Sequence, residues 1–301
     1  MVMAEVQKTA YVTGGASGIG KAVVQMLVSK GIKTVVADIN LPAADAYVQS
    51  LNEAHEASCT SSGTKYERIA LAVQVDVSDW DSQLEAFNSV QPFVGGRIDH
   101  VFAVAGISER PWIPRFGADE KDSDTSFVKP DLKTLEVDLN GPLYTAALAI
   151  QQMRRQKPLE DGFRGSIALA ASGCGFYCVP TLPIYTAAKH GVVGFVRSYG
   201  KFLAEHGIGL NAVCPMIVQT SISSEGFYQQ AGAKGLLTPM ENVVASFEEC
   251  MHGCAGGGEC IEVGPLTKPF KKRAAAEVLD GSAQESIDII HEKAMPLHVK
   301  A

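Results

Sequence analysis

Tyr185 and Lys189 stand four residues apart in Tyr185-Thr186-Ala187-Ala188-Lys189, so on a helix their side chains share one face. A phenol with its ordinary pKa of about 10 is a poor base near neutrality. A neighbouring ammonium stabilises the phenolate, and lowering the pKa by ~3 units takes only about 4 kcal/mol. Such a pair suits proton transfer at an alcohol or carbonyl oxygen. In a chain with eight tyrosines one such spacing arises easily by accident, so the pair needs company. Ser172 supplies some: it ends the small-residue run Ala170-Ala171-Ser172-Gly173, thirteen residues before Tyr185. A hydroxyl at the C-terminal end of a strand faces the crevice where open α/β sheets bind ligands, and can orient a substrate oxygen. Asn140, in Glu136-Val137-Asp138-Leu139-Asn140-Gly141, falls inside an otherwise apolar helix. Its amide could interrupt the helix and hold a water linking Lys189 to solvent, or it could be a tolerated polar residue.

A second group of residues suits phosphate. Thr13-Gly14-Gly15-Ala16-Ser17-Gly18-Ile19-Gly20 follows an apparent strand and opens a helix. A pyrophosphate needs close backbone approach and free helix-terminal N–H groups, which Gly14, Ser17, Gly18, Ile19 and Gly20 offer. The second strand ends in Val36-Ala37-Asp38-Ile39. At that distance beyond the loop a carboxylate can bond the ribose hydroxyls and repel a 2′-phosphate, and no Arg stands nearby to reverse the sign. NAD is therefore expected over NADP. The alternative is that Asp38 merely caps the next turn. Asp76-Val77 falls where the adenine would lie, although Asp76 suits a turn equally well.

The elements that must carry these residues alternate. Lys8 to Thr13, Thr34 to Ala37, Ile69 to Val75, His100 to Val104, Ser166 to Ala171 and Gly209 to Cys214 read as strands. Gly20 to Ser29, Ala43 to Ala54, Asp81 to Val90 and Tyr185 to Glu205 read as helices, with Ser78 or Asp79 able to cap the third. The pattern predicts one α/β domain over residues 1–265, a doubly wound Rossmann-type parallel sheet with helices on both faces, then a C-terminal extension over 266–301. Ser108 to Lys129, polar and Pro-containing, is expected as an inserted loop. Residues 221–240 suit a substrate lid: a Ser-, Gly- and Gln-rich stretch leads into Thr238-Pro239-Met240-Glu241, a capping-box pattern that predicts a helix toward Met251. The tail is basic at Lys271, Lys272 and Arg273 and then Ala-rich; the Ala-rich part is expected to be helical and to serve packing or subunit contact.

Bulk properties narrow the partners. A net charge of −7 offers no basic footprint for nucleic acid. No apolar run approaches the ~18 residues of a membrane span. No basic and apolar leader is visible, so a cytoplasmic location is expected. Seven scattered cysteines without Cys-x-x-Cys pairs fit a reducing compartment and no bound metal, the Cys250-to-Cys254 segment included.

Taken together, Thr-Gly-x-x-x-Gly-Ile-Gly, Asp38, Asp76-Val77, Ala105-Gly106, Asn140, Ser172, Tyr185, Lys189 and Asn211-Ala212-Val213-Cys214-Pro215 stand in an order that resembles the classical short-chain dehydrogenase/reductase family. Lys189-His190-Gly191-Val192-Val193-Gly194-Phe195 and the stretch before Pro215 look most like its 15-hydroxyprostaglandin dehydrogenase-like branch. The resemblance covers about residues 8 to 265. It implies a catalytic tetrad of Asn140, Ser172, Tyr185 and Lys189, with Lys189 also bonding the nicotinamide ribose. It implies that Ala105, Pro215, Ile217 and Thr220 flank the coenzyme, and that the chain forms a homodimer or homotetramer. The family's Asn-Asn-Ala-Gly reads here Ala103-Val104-Ala105-Gly106, and its Pro-Gly reads Pro215-Met216. The apolar stretch between Ser172 and Tyr185, with Cys174 and Leu182 and with Met216 opposite, implies a wall for a hydrophobic secondary alcohol or ketone. His190 points off the Tyr185/Lys189 face.

Overall fold

A computed structural model describes residues 7–114, 127–252, 257–266 and 270–298. Cys254, Lys268, much of the expected 108–129 insertion and the last three residues lie outside the described residues. Seven parallel strands form the sheet: β1 (Thr9–Thr13), β2 (Lys33–Asp38), β3 (Ala70–Gln74), β4 (His100–Ala103), β5 (Gly165–Ala170), β6 (Ile208–Pro215) and β7 (Cys260–Val263). An antiparallel edge strand, β8 (Lys271–Lys272), closes the order β3-β2-β1-β4-β5-β6-β7-β8.

Strands covered on both faces must be apolar on both, and alternate residues divide accordingly. Ala10, Val12 and Val36 pack on one side beneath helices α1 (Gly18–Ser29) and α2 (Leu41–Ser62), through Val23, Val24, Leu27 and Val48. Tyr11, Val35 and Ala37 pack on the other. There they meet α3 (Trp80–Ser89), the single turn α4 (Gln91–Val94), α6 (Gly141–Arg155) and α7 (Pro183–Glu205), through Phe87, Val94, Ala149 and Val196. Strand order reverses between β1 and β4, so the crevice beyond their C-terminal ends is the expected ligand site.

Several elements depart from the pattern. Helix α2 runs well past Ala54 because its chain meets no breaker before Gly63, which ends it at φ 70°. Asp79 caps α3 by accepting the Ser82 N–H at 2.6 Å. The polar stretch after Thr220 folds into α8 (Glu225–Ala233), capped by Ser224. Helix α9 (Met240–Glu249) begins as expected, but no capping box forms. The Thr238 N–H bonds Ile217 at 2.7 Å, drawing Thr238 into the strand-like pairing of Ile217 with Leu237, and Pro239 becomes the cap residue. In the tail the Ala-rich stretch Ala274 to Ala276 is not helical. Lys271 and Lys272 add to the sheet edge, Lys272 paired with Glu259 at 2.7 Å and Arg273 with Glu262 at 3.3 Å. The tail's helix, α10 (Gly281–Ala294), starts later at Asp280 and buries none of its residues.

Candidate active site

The glycine-rich turn between β1 and α1 is built by contacts that only hydrogen at Cα permits. Gly14 has φ 67°, and a Cβ there would sit 2.7 Å from Cα of Ala105. A Cβ on Gly20 would lie 2.1 Å from the Gly14 carbonyl oxygen, so α1 packs backbone to backbone against the turn. Ser17 stands at the N-terminus of α1 with its hydroxyl uncommitted to the helix. Val104, where the family has an amide, packs among apolar residues, and the brace comes from Thr13, whose Oγ1 accepts the Val104 N–H at 3.1 Å.

These residues border a cleft of about 640 Å³, within the range of small-molecule and coenzyme sites. Gly14, Ser17, Gly18, Ile19 and Gly20 line one end with Asp38 and Ile39. Asp76, Val77, Ala105 and Thr220 continue it, and Tyr185 and Lys189 close it. Asp38 is nearly buried and does two local jobs: Oδ2 accepts the Ala16 N–H and Oδ1 the Asn40 N–H, both at 3.0 Å. It therefore fixes the phosphate loop and caps the next turn while also facing the cleft. Asp76 likewise combines a turn with a cleft wall. Its Oδ1 accepts the Ser78 hydroxyl at 2.6 Å, and that bond holds its carboxyl below the usual range. Pro215 ends β6 and Ile217 pairs with Leu237, and neither is among the residues lining the cleft. Thr220 lies over Gly18 and bonds near the Tyr228 hydroxyl at 3.4 Å, which ties α8 to the cleft.

The reactive end converges on the C-terminal tip of β5. Ser172 follows the end of that strand by two residues, accepts the Cys174 N–H at 3.2 Å, and places its hydroxyl where it acts on the Tyr185 phenol. One helical turn after Tyr185, Lys189 is buried, with Nζ 5.3 Å from the Tyr185 ring centre and donating to the Ala170 carbonyl at 3.2 Å. Burial raises the Tyr185 pKa. Lys189 and the Ser172 hydroxyl pull it down without overcoming burial, and Asp138 adds to the rise. Among the substrate-wall residues, Cys174 follows Ser172, Leu182 precedes α7, and Met216 lies across Gly173, where a Cβ would be 2.3 Å from its sulfur.

Asn140 does not join this cluster. It is exposed and outside the cleft lining. Residues Glu136–Asn140, entered through the short turn α5 (Lys133–Leu135), form a π-helical turn. Positions two apart on a helical turn point to nearly opposite sides, so with Asp138 facing Lys189, Asn140 faces away. Asp138 is fully buried. Its Oδ1 accepts the Ile107 N–H at 2.8 Å, and its Oδ2, without a hydrogen-bond partner, lies 4.0 Å from Lys189 Nζ. Burial raises its pKa against the pull of Lys189 and the Ile107 N–H. The sequence signal was an acid flanked by Val137 and Leu139 in an apolar helix. Glu109, also unforeseen, bonds the N-terminus of α7.

The cradle fits a dinucleotide: the Gly14–Gly20 contact leaves the backbone bare, and the helix terminus behind it is open. Comparison with known proteins agrees. A family model described as short chain dehydrogenase matches residues 8–231. The 15-hydroxyprostaglandin dehydrogenase of Homo sapiens, whose name specifies NAD(+), is 32% identical over 218 residues, covering 71% of this chain and 70% of that protein. The 2,5-dichloro-2,5-cyclohexadiene-1,4-diol dehydrogenase of Sphingobium indicum is 31% identical over 78% of this chain and 82% of its own length. The short-chain dehydrogenase/reductase prx7 of Penicillium rubens is 41% identical over 128 residues, and the match spans 45% of that protein. In fold, 3-hydroxyacyl-CoA dehydrogenase type-2 from Mycobacterium avium matches with a TM-score of 0.70 over 92% of this chain and all of that one, at 23% identity. The chain thus belongs to the short-chain dehydrogenase family of oxidoreductases, which bind a nicotinamide dinucleotide.

Proposed function

We propose that this protein is an NAD(H)-dependent oxidoreductase interconverting a hydrophobic secondary alcohol and its ketone, with Tyr185 as the acid/base. The observation that carries this reading is the meeting of Ser172, Tyr185 and buried Lys189 at the closed end of the cleft that the phosphate loop and Asp38 open. The coenzyme supplies hydride acceptance and donation at the carbinol carbon. Ser172 and Tyr185 hold the substrate oxygen by their hydroxyls. In the oxidative direction Tyr185 accepts the hydroxyl proton, and Lys189 stabilises the phenolate it becomes. The part expected of Asn140 falls to Asp138, which faces Lys189 from the π-helical turn. Cys174, Leu182 and Met216 form the apolar wall, α8 and the turn before it act as a lid, and Pro215, Ile217 and Thr220 border the nicotinamide end. A homodimer or homotetramer is the expected assembly.

A panel of aliphatic and aromatic secondary alcohols and ketones, run with NAD(H) and NADP(H) and followed at the reduced-nicotinamide band, tests the reading. Turnover faster with NAD(H) supports it, and binding of NADH with no turnover across the panel overturns it. The coenzyme preference has its own test. Asp38→Asn keeps an acceptor for the Ala16 or Asn40 N–H but removes the charge. A hydrogen bond to a charged group contributes about 1.5–3 kcal/mol, so NADH preference over NADPH should fall roughly ten- to a hundredfold in fluorescence titrations. An unchanged ratio means that Asp38 serves the loop alone.

A further inference from the structure

Helix α7 begins without a side-chain cap of its own, since Leu182 at its boundary cannot accept a hydrogen bond through its side chain. The acceptor arrives from another part of the chain. Glu109, on the segment leaving β4, accepts the Tyr185 N–H on Oε2 at 2.7 Å and the Ile184 N–H on Oε1 at 3.3 Å. These are N–H groups of the first helical turn, which have no partner within a helix. One belongs to the reacting tyrosine itself. The neighbours of Glu109 are held just as firmly: the Ile107 N–H bonds Asp138 at 2.8 Å, and the Ser108 carbonyl accepts the Thr134 hydroxyl at 3.3 Å. Residues Ile107 to Glu109 thus form a strap joining the π-helical turn to the start of α7.

We propose that Glu109 is a positioning residue that sets the backbone of Tyr185 and, through the strap, its register against Asp138 and Lys189. The proposal rests on Tyr185 being the acid/base but concerns its geometry, which can be read without turnover. The charge has a second consequence. A carboxylate at a helix N-terminus offsets the positive end of the helix dipole. That positive end would otherwise assist ionisation of a nearby phenol. The charged and titratable groups facing the Tyr185 side chain are Lys189 from α7, Asp138 from the π-helical turn and Cys174 after β5, and Glu109 adds to them from the backbone side.

The test compares wild type, Glu109→Ala and Glu109→Gln, each carrying tyrosine labelled with 13C at Cζ. The Tyr185 signal is identified by its loss in Tyr185→Phe, and thermal melting checks that each variant is folded. Glu109→Ala should shift and broaden the Tyr185 signal while those of Tyr11 and Tyr47, in β1 and α2, stay in place. Glu109→Gln should restore its position, since a carbonyl oxygen still accepts an N–H. A Tyr185 signal unchanged in Glu109→Ala overturns the proposal, as does failure of Gln to restore it. With a substrate from the panel, Glu109→Ala should lower kcat by about tenfold or more, as small misplacements do. The NADH dissociation constant should move less than about twofold, and Gln should recover most of the loss. If no alcohol or ketone turns over, the proposed function fails while the spectroscopic comparison still decides the role of Glu109.

Discussion

Tyr185→Phe should lower turnover of the best secondary alcohol by a hundredfold or more with the fold and coenzyme affinity retained. General acid/base groups contribute about 10²–10⁴ in rate, and only the phenolic oxygen is lost. The ring stays, and with it the cation–ring contact to Lys189 at 5.3 Å. Near-normal turnover in this variant would refute the mechanism. Lys189→Met separates the two halves of the pair. Because Lys189 lowers the Tyr185 pKa, its removal leaves burial opposed only by the Ser172 hydroxyl. The acid limb of the oxidation rate, where the phenol must lose its proton to act as base, should therefore move to higher pH. A limb that moves to lower pH, or stays, would mean that Lys189 acts on something other than the phenol. Loss of coenzyme affinity in Lys189→Met with the limb unmoved would assign the ammonium to the nicotinamide ribose alone.

The glycine-rich turn was legible in the sequence because its requirements are local: Gly14 and Gly20 follow from a positive φ and a backbone contact within one turn. The central strands were legible for a similar reason, since a strand such as Thr9–Thr13 is buried on both faces and must be apolar throughout. Asn140 stands out as a polar residue in an apolar helix and by the resemblance, and Asp138, two residues earlier, is the equally polar residue passed over. The two lie on nearly opposite sides of the turn, and only the contact with Lys189 tells which faces the site. Glu109 could not be read at all, since its partner Tyr185 lies 76 residues on and no local pattern links them. Edge strand β8 is equally silent, because two lysines carry no strand signal and are fixed by carboxylates on α9 and beside β7. Helix α8 hid in a polar stretch whose start is marked only by Ser224.

Asp138→Asn should stabilise the protein at pH above the raised carboxyl pKa and shift the oxidation profile toward acid. Removing one partner of a buried ion pair ordinarily costs 3–5 kcal/mol, which argues for the opposite result. Here, however, Oδ2 is 4.0 Å from Lys189 Nζ and has no hydrogen-bond donor, so the attraction does not repay desolvation, and the carboxyl pKa is raised. A folded pKa above the unfolded one contributes stability that is complete below the unfolded value and is lost as pH rises through the folded value. Above that raised pKa the carboxylate is ionised at that cost, which a neutral amide avoids while Oδ1 still accepts the Ile107 N–H. The variant's melting temperature should therefore exceed the wild type's above the raised carboxyl pKa, and the gap should close in acid. The carboxylate also raises the Tyr185 pKa, so its neutralisation lets the phenol ionise at lower pH. Asp138→Leu supplies the contrast: it strands the Ile107 N–H and should lose stability at every pH. If Asp138→Asn instead melts lower than wild type at every pH, Lys189 needs the negative charge more than the geometry implies. The buried pair would then be a structural ion pair, with no part in tuning the tyrosine.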